Sequence, residues 1–455
     1  MPEVSLEPEE TQSAVAMPHS RGSSSVLLIN SPVFDTRLPW ARWQQPGLLY
    51  RYGCYLRERG AEITMIDALA VPRAGRLRKE KIQQLMLDGQ RVDQWRFGRA
   101  RKEVAAEMRG LADRGWAPDS VVVECFTTFW WRGAREMVDL AREVFPRAEI
   151  QVVGAYASHA PQHVEQATGA IPIAQLPAEV AAHPADWSLA PARPPIAYLS
   201  TANGSRGADE IVEEIANGAE RGITLFAFSE HGVVGRHPDL FAAVMEGVLA
   251  RCIKTRFVAT GTLVPAELVA NPALPSLMRR AGFRQLFFAD DRHVPLGSAT
   301  DDYLEACRQA AALCEAAGFR ARTDEMGGGV CLGRMGEDLG ERARMITRVA
   351  HALGSVVLWP YQPAPAECPG VELDLVNGKL FPLRAENGAT YRDYLNVQGI
   401  AVLMNAKYRE HTFNFLGESF VARMFRDSLA REAWAPDPAV KGGLRLPAPL
   451  RQGAA

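Results

Sequence analysis

The sequence predicts an α/β chain in which a doubly wound, Rossmann-like domain precedes a partial (β/α) barrel and a helical C-terminal extension. Three observations predict it. Short apolar runs at Val26–Asn30, Ile63–Ile66, Ser120–Cys125 and Ile150–Val153 alternate with amphipathic stretches, the rhythm of parallel strands joined by helices. A Pro- and Ala-rich stretch, Leu176–Pro195, interrupts that rhythm and reads as a linker. Beyond it the alternation resumes for five or six units in about 165 residues, short of the roughly 250 that an eight-unit barrel needs. The expected division is a tail over residues 1–25, a Rossmann-like domain over 26–175, a linker over 176–195, a partial barrel over 196–359 and an extension over 360–455.

The first unit is the most informative. A buried strand, Val26–Asn30, breaks at Ser31-Pro32, and an amphipathic helix runs from about Pro46 to Arg59, where Gly60 stops it. A second strand, Ile63–Ile66, ends at Asp67. The intervening loop, Asn30 to Pro46, is longer than most strand-to-helix connections and lies beyond the carboxyl end of its strand, where open α/β sheets bind ligands. After Asp67 a basic stretch, RAGRLRKEKIQQLM, reads as helical, with helix continuing to about Arg114. Strand Ser120–Cys125, the loop FTTFWWRGA, helix Arg132–Val144 and strand Ile150–Val153 complete a four-strand pattern. Its strand ends gather Ser31, Asp67, Phe126–Trp131 and Gly154–His159 on one rim.

In the second half, strands are expected at Ile196–Leu199, Thr224–Phe228, Arg256–Thr260, Gln285–Phe288, Arg320–Thr323 and Val356–Trp359. Helices are expected at Ala208–Arg221, Pro238–Arg251, Pro272–Ala281, Tyr303–Ala317 and Leu339–Leu353, with two more near Tyr391–Lys407 and Gly417–Arg431. The aromatic block Tyr391–Phe420 would close the barrel mouth.

A net charge of −2 offers no global field for nucleic acid or an anionic membrane, and no apolar run reaches a membrane span, so neither partner is expected. The first residues are acidic, then Ser-rich, without the order of a signal peptide, and read as a disordered tail. Seven scattered cysteines are an odd number without framework spacing, which points to a reduced, cytoplasmic protein.

The order of segments resembles the cobalamin (B12)-binding radical S-adenosylmethionine (SAM) enzymes over roughly Val26 to Arg431. PGLLYRYGCYLRERGAEITMID resembles that family's first helix and second strand. VVGAYASHAPQHV is similar to its strand, glycine turn, His and Pro-led helix. GADEIVEEIANGAERGITLFAFSEHGV and VCLGRMGEDLGERARMITRVAHALG resemble barrel segments, the latter with a Gly-Glu pair before a helix. LWPYQPAPAECPGVEL and NGKLFPL resemble the Pro-rich exit and extension. The chain departs from the family in one decisive place. Members carry CxxxCxxC after the first barrel strand, where three thiolates hold a [4Fe–4S] cluster. Here IAYLS is followed by TANGSRGADEIVEEI, and CxxxCxxC occurs nowhere in the sequence. No such cluster is therefore expected, and the resemblance implies a degenerate member.

What the resemblance implies for the site follows. Cobalamin would lie on the strand-end rim, with Ser31, Asp67, the flat surface and hydroxyls of Phe126, Thr127 and Thr128, and the small residues and backbone donors of Gly154, Ala155, Tyr156 and Ser158 around it. The turn has one Gly where the family has two, so Ala155 must keep an ordinary backbone conformation. His159 lines the rim or is a surface or helix-cap residue; His159 and His163 lie four apart, but with no third ligand evident no metal site is assigned. Glu230, in SEHGVVG, occupies the family's SAM-gripping turn, and a solvated loop role is the equal alternative. Ala289-Asp290-Asp291 could meet a ribose or a metal, or solvent. Without the cluster a polar methyl transfer by way of methylcobalamin remains, with Glu230 or His231 as general base and SAM or another compound as donor. The acceptor would be a small molecule or peptide. Two alternatives stand beside this: a non-catalytic partner or scaffold of an intact radical SAM enzyme in a biosynthetic pathway, and a SAM- or nucleotide-binding α/β protein without cobalamin.

Overall fold

The computed structural model describes residues 24–36, 46–70, 77–190, 194, 196–289, 300–321, 325–381, 388–408, 436–437 and 443–444. The expected tail except Ser24 and Ser25, the aspartate pair Asp290-Asp291 and the helix expected at Gly417–Arg431 lie outside them.

The first half is built on a parallel sheet of β1 (Ser25–Asn30), β3 (Glu62–Asp67), β6 (Ser120–Glu124), β7 (Glu149–Val153) and β8 (Ile171–Pro172), in the order β3-β1-β6-β7-β8. Order reverses on either side of β1, so the chain is doubly wound, with one short strand more than the sequence suggested. Strand residues alternate between two cores. Leu28 and Val122 face the helix α1 (Gly47–Glu58), while Leu27, Ile29, Val121 and Val123 face α2 (Arg101–Asp113), α3 (Trp131–Val144) and α5 (Pro161–Thr168). Both faces are covered, which is why these strands read as unbroken apolar runs. Helix α3 approaches the β1 end so closely that a Cβ on Gly133 would stand 1.8 Å from the Pro32 carbonyl oxygen.

The basic stretch after Asp67 is not helical where it is described, from Leu77 on. Strands β4 (Lys79–Leu87) and β5 (Gln90–Phe97) form an antiparallel hairpin, and β2 (Val33–Asp35) pairs with β5 to make a separate three-stranded sheet. The turn at Asp88-Gly89 has positive φ at both residues, +50° and +76°. That is the two-residue turn whose twist matches antiparallel strands, and Asp-Gly is a preferred pair for it. Helix begins only at Arg101.

The second half carries six parallel strands, β9 (Ala197–Leu199), β10 (Leu225–Phe228), β11 (Arg256–Leu263), β12 (Phe283–Phe288), β13 (Met326–Leu332) and β14 (Val356–Pro360), in sequential order from β9 to β14. Helices α7 (Ala208–Glu220), α9 (Pro238–Ala250), α11 (Leu274–Ala281), α12 (Thr300–Ala316) and α13 (Leu339–Leu353) connect them, with short α8 (Val233–Arg236) and α10 (Pro265–Ala270) between. The fifth strand is Met326–Leu332 rather than the expected Arg320–Thr323. The triple glycine lies inside it, with Cβ positions at Gly327 and Gly328 already taken by Ser355, Phe287, Val349 and Leu353. Close packing, not a ligand, accounts for those two glycines. Helix α14 (Tyr391–Tyr408) packs on α13, and Phe381 stacks on Tyr394 at 4.3 Å between ring centres.

The Pro- and Ala-rich segment before β9 contains α6 (Glu179–Ala182) and buries Val180, Trp187 and Leu189 in the core shared by α1 and the barrel. Trp187 meets Tyr50 edge-on at 5.6 Å. The extension reaches back to the first half. Arg132 of α3 forms a forked ion pair with Asp374, at 2.9 and 2.7 Å from Nε and Nη2, and buried Asp35 of β2 takes hydrogen bonds from Asn377, Lys379 and Trp130. At the other end of that sheet, the Asp88 carboxylate accepts from the Tyr391 N–H at the start of α14. No helix among the described residues is long and apolar enough to cross a membrane.

Candidate functional site on the strand-end rim

The parallel register places Asn30 level with Asp67 on one side and Glu124 on the other. These three residues end the adjacent strands β3, β1 and β6 of the first sheet. Asn30 Nδ2 donates to Asp67 Oδ1 at 2.7 Å, and the Leu69 N–H donates to the same oxygen at 2.9 Å. Glu124 is only 5% exposed. Burial, then the Asp67 charge, pushes its carboxyl up to about 8, so it is protonated at neutral pH. Burial raises the Asp67 carboxyl as well, opposed by the Asn30 and Leu69 hydrogen bonds and by Arg99. Burial, and after it the Asp67 and Glu124 carboxyls, drives the phenol of Tyr50 on α1 well above the ordinary range.

The neighbouring residues belong to the same rim. Ser31 Oγ donates to the Glu124 carbonyl at 2.7 Å and is thereby occupied. Asn30, Ser31, Glu124, Cys125, Phe126 and Trp130 line one shallow cavity. Phe126 is 54% exposed there, tilted against Trp130 at 6.3 Å. Thr128 is buried in the short turn Thr128–Trp130. Two polar atoms on this rim, Glu124 Oε2 and Thr127 Oγ1, are buried and have no hydrogen-bond partner. An unpaired buried polar atom costs about 1–3 kcal/mol, so such atoms mark places where a ligand group or water completes the structure.

The glycine turn opens α4 (Ala155–His159). Gly154 has φ +94°, and a Cβ there would stand 2.6 Å from the Cys125 carbonyl, so glycine is required. Ala155 follows as an ordinary helical residue, which explains why the second glycine is dispensable. Tyr156 points into the domain, fully buried, with its hydroxyl 2.7 Å from His163 Nδ1. Ser158 is exposed, with its hydroxyl on the Ala174 carbonyl, and His159 is exposed beside it. His163 packs edge-on to Trp131 at 5.0 Å, and burial lowers its pKa. Among the described residues no three His, Cys, Asp or Glu side chains are grouped to hold a metal ion.

In the six-stranded sheet, the segment after β9 is a tight turn. Ala202, Asn203 and Gly204 all have positive φ, at +49°, +53° and +86°. Glu230, at the end of β10, fastens it: Oε1 accepts from Ser200 Oγ at 2.6 Å, from the Ala202 N–H at 3.1 Å, and from the Thr201 N–H. One carboxylate oxygen is thus spent on loop structure, while Glu230 Oε2 is buried without a partner. His231 follows, half-buried, ahead of α8. Beneath the turn, Arg206 pairs with Glu214 of α7 at 2.6 Å, both side chains fully buried, and Arg51 of α1 reaches the same carboxylate at 3.2 Å. The turn is therefore tied to both halves of the chain through a buried ion network.

One carboxyl that sequence reasoning did not single out as a site residue belongs here. Glu337, in the loop from β13 to α13, is 2% exposed, accepts from the Gly333 N–H at 2.6 Å and is hydrogen-bonded to Tyr394. Burial, against those hydrogen bonds, pushes it up to about 7. Glu124 was missed as well; the available signal was a carboxylate closing the apolar run Val121–Val123 at a strand end. Asp67 and the rim of Phe126 to Thr128 fall together with Glu124, whereas Glu230 and His231 sit with the turn after β9, not with the first rim.

No family model matches this chain, and no curated protein matches it in sequence. Among solved structures it is similar to the radical S-adenosylmethionine methyltransferase TsrM from Kitasatospora setae, determined with cobalamin and a [4Fe–4S] cluster bound. The TM-score is 0.50 at 12% identity, over 90% of this chain and 100% of that one. An isomerase from Streptomyces coelicolor A3(2) covers 57% of this chain and 49% of its own at a TM-score of 0.20 and 12% identity. The likeness to TsrM runs through nearly the whole chain and is one of fold: a mixed α/β architecture with two parallel sheets.

Proposed function

We propose that this chain is a cobalamin-binding protein that moves a methyl group by a polar, non-radical route. Two buried polar atoms without partners, Glu124 Oε2 and Thr127 Oγ1, support the reading most directly. They lie beside an exposed phenyl ring, at the carboxyl ends of the central strands of a sheet whose fold resembles that of a cobalamin-bound methyltransferase. The donor set suits the cofactor, which carries an apolar ring edge and many amide side chains. A protonated Glu124 donates to an amide carbonyl, Thr127 donates or accepts, and Phe126 offers flat apolar surface. Bound cobalamin would supply the carrier from which a methyl group passes to a nucleophile.

The residues do the rest. Burial, and after it the Asp67 charge, keeps Glu124 protonated, and Asn30 orients Asp67. Glu337, with a carboxyl near 7, suits proton removal from a methyl acceptor better than Glu230, whose Oε1 is committed to the turn. The polar route rests on the missing CxxxCxxC and on a cysteine-free turn after β9, cemented by Glu230 and Arg206.

The deciding experiment is a visible-absorption titration of iron-quantified protein with hydroxocobalamin and methylcobalamin, followed by desalting. A retained one-to-one corrinoid without iron supports the proposal, and its loss in Thr127→Ala and Glu124→Ala variants locates the site. Absence of retained corrinoid refutes it. Retained corrinoid without transfer to any thiol or amine acceptor would favour the reading as a non-catalytic partner of an intact radical SAM enzyme.

A further inference from the structure

The six-stranded sheet carries an opening at the amino ends of its strands. A cavity of about 340 Å³ lies there, with Leu225 and Val258 as its apolar floor and Arg256, Arg284, Arg320 and Glu325 around it. Leu225 and Arg256 begin β10 and β11, and Arg284 is the second residue of β12. Six strand residues span about 20 Å, so this mouth stands well apart from the carboxyl ends of the same strands.

Its charge is unbalanced. Among the described residues Glu325 is the one carboxylate in the cavity wall, and it is already shared: Arg320 donates to Oε1 from Nε and Nη2 at 3.2 and 3.0 Å, and Arg279 stands 3.7 Å from Oε2. Arg279 Nη1 is buried and has no hydrogen-bond acceptor. The side chains of Arg256 and Arg284 are exposed and make no ion pair among the described residues. Three guanidinium groups therefore line the cavity, and two of them, Arg256 and Arg284, make no ion pair or side-chain hydrogen bond among the described residues. Guanidinium forks match the spacing of paired oxygens on a carboxylate or phosphate.

We infer that the amino-end mouth of this sheet binds a compact doubly charged oxyanion, a phosphomonoester or a dicarboxylate, whose carbon portion rests on Leu225 and Val258. The inference does not depend on cobalamin and would survive the failure of that proposal. Two arginines hold the anion directly, so loss of either fork weakens binding by about tenfold.

The test is calorimetric titration of the full chain at fixed ionic strength with inorganic phosphate in one arm and succinate in the other. Saturable one-to-one binding of phosphate assigns a phosphate ligand, and of succinate a dicarboxylate. Arg256→Gln and Arg284→Gln should each weaken binding about tenfold, and together abolish it, with the melting temperature of the anion-free protein unchanged. Arg284→Lys, which keeps the charge but not the fork, should fall between. Absence of saturable binding in both arms, or binding that the double variant retains, overturns the inference.

Discussion

Replacing Glu124 by Gln separates a buried acid from an ionised one. The carboxyl has an ordinary value near 4.5 and stands at about 8 in the fold. A raised carboxyl is protonated in the folded state while the unfolded chain has already ionised. Its contribution is thus fully present below about pH 4.5 and is lost as pH rises toward 8, above which the loss is complete. At about 1.4 kcal/mol per pH unit, that window has a ceiling of about 5 kcal/mol, and solvent relaxation around a rim residue brings the expected loss nearer 2–3 kcal/mol. Gln keeps the shape and cannot ionise. The stability of Glu124→Gln minus that of the parent should therefore rise by about 2–3 kcal/mol between pH 5 and pH 8.5. The assay is urea unfolding at several pH values, with the difference between proteins cancelling the contribution of Glu337, which titrates near 7 in both. Asp67→Asn should shift the midpoint of the parent's loss to lower pH, because the Asp67 charge is one of the two causes of the raised value. A difference that stays flat from pH 5 to pH 8.5 would show that Glu124 ionises normally and that the rim is wet.

Two further outcomes follow from the packing. Glu214→Ala leaves the Arg206 guanidinium buried without its partner, and should cost about 3–5 kcal/mol of stability, measured by denaturant unfolding; a loss under about 1 kcal/mol would mean that water already solvates the network. Gly133→Ala would drive a methyl group against the Pro32 carbonyl and must push α3 away from the end of β1, so it should lower the melting temperature by several degrees and weaken corrinoid retention; an unchanged melting temperature would refute the close approach.

Much of the fold is legible in the sequence because fully buried parallel strands leave short apolar runs. Val26–Asn30 and Ser120–Cys125 were found to within a residue for that reason. The stretch from Lys79 to Phe97 was misread because its strands alternate with charged and amide residues that suit helix equally well, while the decisive mark, Asp88-Gly89 at a two-residue turn, is only two letters long. The fifth strand of the second sheet lies later than the sequence predicts because Gly327-Gly328-Gly329 has low strand propensity and is held there by neighbours far along the chain. The rim was legible as a place, since strand ends follow from strands. Its chemistry is not: the proton on Glu124 depends first on burial and then on Asp67, 57 positions away and two strands over, and no local pattern records either. Likewise nothing in the sequence around Tyr156 says that its ring turns inward to His163.

The missing cysteines bear on more than three side chains. Ser200–Gly207 joins β9 to α7 and has the eight-residue length of CxxxCxxC, so cysteines at 200, 204 and 207 would restore the spacing. The turn does not accept them. Gly204 has φ +86°, which strains any L side chain, and a Cβ there would meet the His237 ring at 2.5 Å. Ser200 Oγ is bonded to Glu230, and Arg206, one residue before the third position, is anchored to buried Glu214. Three thiolates converging on iron would have to unwind the turn, free Glu230 and expose the Arg206–Glu214–Arg51 network that joins the two halves of the chain. We therefore expect Ser200→Cys/Gly204→Cys/Gly207→Cys protein, reconstituted anaerobically with iron and sulfide, to retain no stoichiometric cluster by iron and acid-labile sulfide assay. The substitution that would permit one is the removal of Glu230 together with the cysteines, since it releases the backbone of Thr201 and Ala202. Cluster retention by the three-cysteine protein alone would show that the turn is a default conformation of an empty loop and not a built replacement for iron.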